Sequence, residues 1–265
     1  MFKRYKLILP LVLIIVLAGC GKDNGVNPDP GEPPALPEVQ SEAAQPDISF
    51  FENNEPQKIL AKGDTANYYE ARSWALLQAG TFAFASTYNS FLMGSNNEEA
   101  VYEDGMWVWE YSYQSEEGSF TMKLTSEEVS DGYEWAMYWS YDDGETSVDN
   151  YKIMEGTVSE DGSEGNWTFN SLDTETNEER VAYTSEWTVT SETESSMVAK
   201  WYDESGTATL TASYEKNEPN HTMVYTYPNE PNITLYWNTD TNEGSFEQGG
   251  ESSCWDEDFK DIPCN

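Results

Sequence analysis

The chain has 265 residues, and its 49 acidic side chains against 13 basic ones give a formal charge of -36. A surface of that sign offers no basic footprint for phosphates, so it excludes nucleic acid as a partner and repels anionic lipid head groups. Acidic pairs such as Glu116-Glu117, Glu127-Glu128 and Glu178-Glu179 read as solvated surface, of a kind suited to salty water.

The first residues read as an export address. Lys3, Arg4 and Lys6 make a basic start, and Ile8 to Val16 form an apolar run too short to span a bilayer. Leu17-Ala18-Gly19-Cys20 follows and resembles the lipobox of bacterial lipoproteins. The resemblance implies that residues 1–19 are a signal peptide and that Cys20 carries a diacylglyceryl thioether and an acylated amino terminus. Each buried methylene of such chains contributes about 0.8 kcal/mol, so the mature protein would be anchored to a membrane without spanning it. Losing Lys3, Arg4 and Lys6 makes the mature chain three units more negative. Gly21 stands where enterobacterial lipoproteins kept at the inner membrane carry Asp, and Gly21-Lys22-Asp23-Asn24 is similar to the surface-export tag of Bacteroidota lipoproteins, from which Asn24 departs. Both resemblances imply the outer membrane, with a periplasmic and a surface-exposed location left open.

Residues 20–47 read as a lipidated cysteine and tether. Pro28, Pro30, Pro33, Pro34, Pro37 and Pro46 favour extended polyproline II, a semi-rigid spacer of about 3.1 Å per residue. A single β-rich domain is expected over residues 48–265. Within it, Asp64 is a candidate N-cap, and Trp74, Leu77, Phe84, Tyr88 and Phe91 recur at helical spacing, which predicts a helix over 65–93 with a possible break near Gly80. Its other face carries the small residues Ser73, Gly80, Ala83 and Thr87, suited to close approach to a sheet.

From Met106 to Gln248, segments of Trp, Tyr, Thr, Val and Ile alternate with turns such as Ser115-Glu116-Glu117-Gly118, Asp142-Asp143-Gly144, Asp203-Glu204-Ser205-Gly206 and Pro228-Asn229-Glu230-Pro231. Eleven strands are predicted, beginning near Met106, Ser119, Tyr133, Asp149, Gly165, Arg180, Ser196, Thr207, His221, Asn232 and Gly244. Trp107, Trp109, Tyr111 and Tyr113 share one face, as do Trp135, Met137, Trp139 and Tyr141, while the alternation loosens around Leu235, Tyr236 and Trp237. The fold class is therefore mainly β: an antiparallel meander of about eleven strands curled into a barrel or half-barrel, with one N-terminal helix packed against it. That architecture is similar to the periplasmic lipoprotein carriers and their outer-membrane receptor, although no residue motif accompanies the likeness and fold alone does not license function. If the concave face is open, Trp107, Trp109, Trp135 and Trp139, with Trp74 and Phe84 of the helix, would line a site for an apolar ligand. An outward aromatic row would instead make a platform for sugar rings, and a filled core is the simplest reading of the same residues.

Cys254 and Cys264 are the remaining cysteines, an even pair expected to close a disulfide in an exported chain, with metal binding as the lesser alternative. Asn238, Asp240, Asn242 and Glu243 alternate oxygens as a calcium loop does, but Gly244 falls one place late and no Glu stands at the twelfth position. Asp256, Glu257, Asp258 and Asp261 make a second oxygen-rich cluster. Both read as turn chemistry, so no metal and no cofactor is assigned. The sequence has no Gly-x-Ser-x-Gly elbow, no phosphate-cradling loop and no His-Glu-x-x-His, and the one histidine, His221, reads as a turn residue. A carboxylate pair for glycoside hydrolysis cannot be nominated among so many acids. The expectation is a lipid-anchored envelope protein that binds or shields without catalysis, its partner an apolar ligand, a glycan or another surface protein; a glycan-hydrolysing lipoprotein and a purely structural one are the alternatives.

Overall fold

A computed structural model describes residues 31–37, 45–54, 64–83, 99–116, 118–173, 176 and 178–264. The chain divides into two compact units, Met1–Glu32 and Pro33–Asn265, and the fold belongs to the second. No helix among the described residues is long and apolar enough to cross a membrane.

Two helices precede the sheet, α1 (Ser49–Asn53) and α2 (Ala66–Ala83). The sheet runs through β1 (Val101–Glu103), β2 (Met106–Ser115), β3 (Gly118–Val129), β4 (Gly132–Asp142), β5 (Ser147–Val158), β6 (Glu164–Asp173) and β7 (Glu178–Ser191). It continues through β8 (Glu194–Tyr202), β9 (Ala208–Asn217), β10 (Asn220–Thr226), β11 (Ile233–Asn238), β12 (Gly244–Gln248), β13 (Glu251–Trp255) and β14 (Asp261–Ile262). Every strand pairs antiparallel with its sequence neighbours, so the order in space is the order in the chain, and the 14-stranded sheet stays open as a curled half-barrel. All eleven predicted strands are present, and three short ones join them. β1 precedes the tight turn at Asp104-Gly105, where both φ angles are positive, as a two-residue hairpin requires. β13 and β14 form a closing hairpin, with Cys254 in β13 and Cys264 just after β14.

One face of the sheet carries the whole core. Across the strands, Trp109, Leu124 and Met137 form one row, Trp167 faces Ser185, and Met197, Tyr214, Met223, Leu235 and Phe246 form another. All of these but Ser185 join a single buried apolar cluster running from β2 to β13. The alternation does not loosen late in the chain: Ile233, Leu235 and Trp237 are all buried on this face. The opposite face is Thr-, Ser- and charge-rich, with Glu110, Glu134, Glu186, Lys200 and Glu215 exposed. Curvature is assisted by three cross-strand pairs in which a tryptophan ring lies over a glycine of the next strand: Trp167 on Gly156, Trp187 on Gly165 and Trp255 on Gly244. A Cβ at any of these glycines would collide with the indole, so the ring fills the space of the missing side chain.

Helix α2 departs from expectation in three ways. It continues through Gly80 without a break to Ala83, and the predicted continuation with Phe84, Tyr88 and Phe91 lies outside the described residues. Its packed face is Tyr68, Ala71, Ala75 and Phe82, whereas Leu77 is 73% exposed and Ser73 and Gly80 face solvent. The small residues that allow close approach are therefore the two alanines. Nor is Asp64 the side chain that caps it: the Asp261 carboxylate of β14 accepts hydrogen bonds from the amides of Ala66 (3.1 Å) and Asn67 (3.0 Å). The helix packs on β12, β13 and β14.

Candidate functional site

The six aromatic residues proposed as ligand contacts fall into separate groups. Trp109 of β2 and Trp135 of β4 are 5% and 1% exposed and stack at 5.7 Å on a diagonal across β3, where Trp109 is opposite Leu124 and Trp135 is opposite Ser126. Trp107 meets Tyr102 edge-on at 5.1 Å, and Trp139 meets Phe120 at 5.8 Å toward the far end of the same strands. These four share the concave face of β2–β4. Trp74 sits elsewhere, stacked at 6.4 Å on Phe246 of β12, and Phe84 lies outside the described residues.

A cleft of about 600 Å³ opens at one end of β4. Its floor is Tyr133, Trp135 and Val158; its rim is the turn Ser159-Glu160-Asp161-Gly162; its remaining wall is Pro34-Ala35-Leu36-Pro37. Residues read as spacer thus border it, with Leu36 packed against the core. Tyr133 is half-buried, and its ring lies 6.3 Å from that of Trp135. On the rim, hydrogen bonds from the Ser163 and Ser159 side chains and the Ser163 amide hold the Asp161 carboxyl at about 2. It is a permanent anion engaged with its own turn, while Glu160 is exposed beside it. A single half-open ring above polar turn groups can stack on a flat face and hydrogen-bond its edges.

His221 stands near the start of β10, where a strand was expected, but it is a core residue and not a turn residue: it is fully buried and stacks on Trp237 at 5.0 Å and 13°. The Glu218 carboxylate, an acceptor 3.3 Å from Nε2, places the ring proton there and leaves Nδ1 to accept from the Tyr214 hydroxyl at 2.8 Å, whose oxygen also accepts the Asp47 amide at 3.2 Å. Burial lowers the His221 pKa and pushes that of Tyr214 well above its usual value. Burial also raises Glu218, but His221 and Lys216 outweigh it and leave its carboxyl below the ordinary range. The cluster lies under Phe50 and Phe51, which pack on Trp237, and orders this end of the core. Only the pairing of β9 with β10 brings Tyr214 to His221, and periodicity carries no such signal.

Cys254 and Cys264 form a disulfide with Cα atoms 5.3 Å apart. Among the described residues no group of three His, Cys, Asp or Glu side chains is arranged to hold a metal ion. The two oxygen-rich stretches spend their oxygens on turns: Asn238 Oδ1 accepts the amides of Asp240 and Thr241, and Asp256 Oδ1 those of Asp258 and Lys260. Cys20 lies outside the described residues. No protein-family model, no curated protein and no solved structure matches the chain.

Proposed function

We propose that this protein is a lipid-anchored, non-catalytic binding module of the bacterial outer membrane, held by Cys20, which grips a short glycan in the cleft beneath Pro34–Pro37. The observation that carries the reading is the cleft itself: the Tyr133 ring in its floor and the Glu160 and Asp161 carboxylates on its rim. A pyranose presents one apolar face to a ring and a belt of hydroxyls to acceptors, and this lining offers both. An apolar ligand has less to recommend it, because Trp109, Trp135, Met137, Met154, Trp167 and Phe169 fill the concave face with at most 5% exposure each. The -36 charge narrows the glycan to a neutral or amino-bearing one. Binding fits better than turnover, since of the two carboxylates on the rim Asp161 is already spent on hydrogen bonds within its own turn.

The test is a glycan array followed by calorimetry on the soluble chain that starts after Cys20. Tyr133→Ala should weaken binding about tenfold, the size of one aromatic contact. Failure of every neutral and amino-bearing glycan to bind, or binding indifferent to Tyr133→Ala, would remove the reading. Separately, Cys20→Ser should move the protein from the membrane to the soluble fraction.

A further inference from the structure

The two edges of the open sheet are finished differently, and the difference leaves backbone groups on offer. β1 covers only Met106–Val108 of β2, through Val101↔Val108, Tyr102↔Trp107 and Glu103↔Met106. Beyond that point β2 continues from Trp109 to Ser115 in unbroken register with β3, and no described strand lies on its other side. The two-residue turn at Asp104-Gly105 closes on the Glu103↔Met106 pair, so the even-numbered residues of β2 direct their peptide groups to the β1 side. Past the end of β1 these are Glu110, Ser112 and Gln114, all exposed. Each directs one N–H and one C=O to a side that no described strand occupies.

Devices that normally blunt such an edge are sparse here. There is no Pro, no Lys and no bulge between Trp109 and Ser115, and Glu110 is the only charge. The side chains on the concave side make a shelf for a visitor. Tyr111 and Tyr113 are 41% and 57% exposed, and behind them across the sheet lie Met122 and Phe120, then Trp139 and Tyr141. On the other side stand Glu110 beside Lys123, Ser112 hydrogen-bonded to Thr121 at 3.1 Å, and Gln114 in line with Ser119 and Asp142.

We infer that the Trp109–Ser115 edge of β2 is a strand-addition site for an extended segment of another protein whose residues alternate between apolar and basic. The backbone of Glu110, Ser112 and Gln114 supplies the ladder. Apolar side chains of the visitor rest beside Tyr111 and Tyr113, and its basic ones flank Glu110 in the field of a chain of charge -36. That charge disfavours the other obvious occupant, a second copy of the same edge. The site shares no residue with the glycan cleft and stands or falls independently of it.

The experiment uses the full mature chain and a synthetic nine-residue peptide of alternating valine and lysine. Three controls accompany it: a valine–glutamate counterpart, a valine–lysine peptide N-methylated at alternate amides, and sedimentation of the protein alone. The valine–lysine peptide should bind and slow hydrogen exchange at Glu110, Ser112 and Gln114. Ser112→Pro, which deletes an outward donor where proline is tolerated, should reduce binding at least tenfold, as should N-methylation of the peptide. Should Ser112→Pro fail to fold, Tyr113→Lys blocks the same shelf with a charge at an exposed position and should weaken the basic peptide similarly. Equal binding of the glutamate peptide, indifference to these changes, or no binding at all would overturn the inference. So would a dimer that Ser112→Pro dissolves, because the edge would then serve a second copy.

Discussion

The C-terminal end of the sheet is sealed, and the N-terminal end is presented. At β10–β14, Trp237 lies under Phe50 and Phe51 and against His221, Tyr68 meets Trp255 and Phe259, Asp261 caps α2 and a disulfide closes the last hairpin. At β1–β5 the same aromatic face ends in exposed Tyr111, Tyr113 and Tyr141, and from Trp109 to Ser115 β2 pairs with β3 alone among the described strands. Both ends are built from the same alternation of aromatic and polar residues. The lesson is that a meander can place its anchoring contacts at one end and leave the other for recognition.

That contrast can be broken residue by residue. The largest effect belongs to Trp237→Ala, which leaves a cavity among Phe50, Phe51, Tyr214 and His221 and should cost about 3–5 kcal/mol in denaturant unfolding. Tyr113→Ala at the presented end should change stability by less than about 0.5 kcal/mol in the same assay. Replacing both cysteines by serine should cost about 3 kcal/mol, given a loop of separation 10, and reduction of the native protein should match it. Asp261→Ala should cost about 1 kcal/mol by uncapping α2, and far-ultraviolet circular dichroism would register the frayed first turn.

A smaller, pH-linked effect should also map to the sealed end. His221 has a folded pKa below its ordinary 6.5, so its contribution is present above that value and is lost as pH falls through it. Asp47 shifts the same way: burial raises its pKa, but hydrogen bonds from the Ser49 side chain and amide outweigh this, and its contribution fades only below the ordinary carboxylate range. Glu218 fades in that lower range too. Thermal midpoints should therefore decline between about pH 7 and 5, and His221→Gln should flatten that segment while leaving the fall at lower pH.

The presented end was largely legible in the sequence, and the sealed end was not. Period-two patterning fixed the faces of Trp107, Trp109, Trp135 and Trp139 because it is a local property of each strand. β1 was missed although Asp104-Gly105 is a strong hairpin signal, because its three residues are too few to show alternation. β13 was hidden by Ser252, Ser253 and Cys254, whose polarity mimics a loop. The cap from Asp261 to Ala66 spans 195 positions, and the Tyr214–His221 contact needs the hairpin register; neither leaves a periodic trace. Leu77 misled because helical spacing identifies a stripe without saying which stripe finds a partner.

The strictly sequential strand order also shapes how the chain can fold as it is delivered, N-terminus first. Each strand finds its earlier partner already in place, so pairing can advance one hairpin at a time with short loops to close. Helix α2 is the exception. It arrives before the sheet, yet the strands it packs on arrive last, and until then Tyr68, Trp74 and Phe82 have nothing from β10–β14 to lie against. The interval between the first turn of the helix and the final hairpin is when these aromatic rings lack their partners in the sheet, the condition under which a partly folded chain is prone to aggregate.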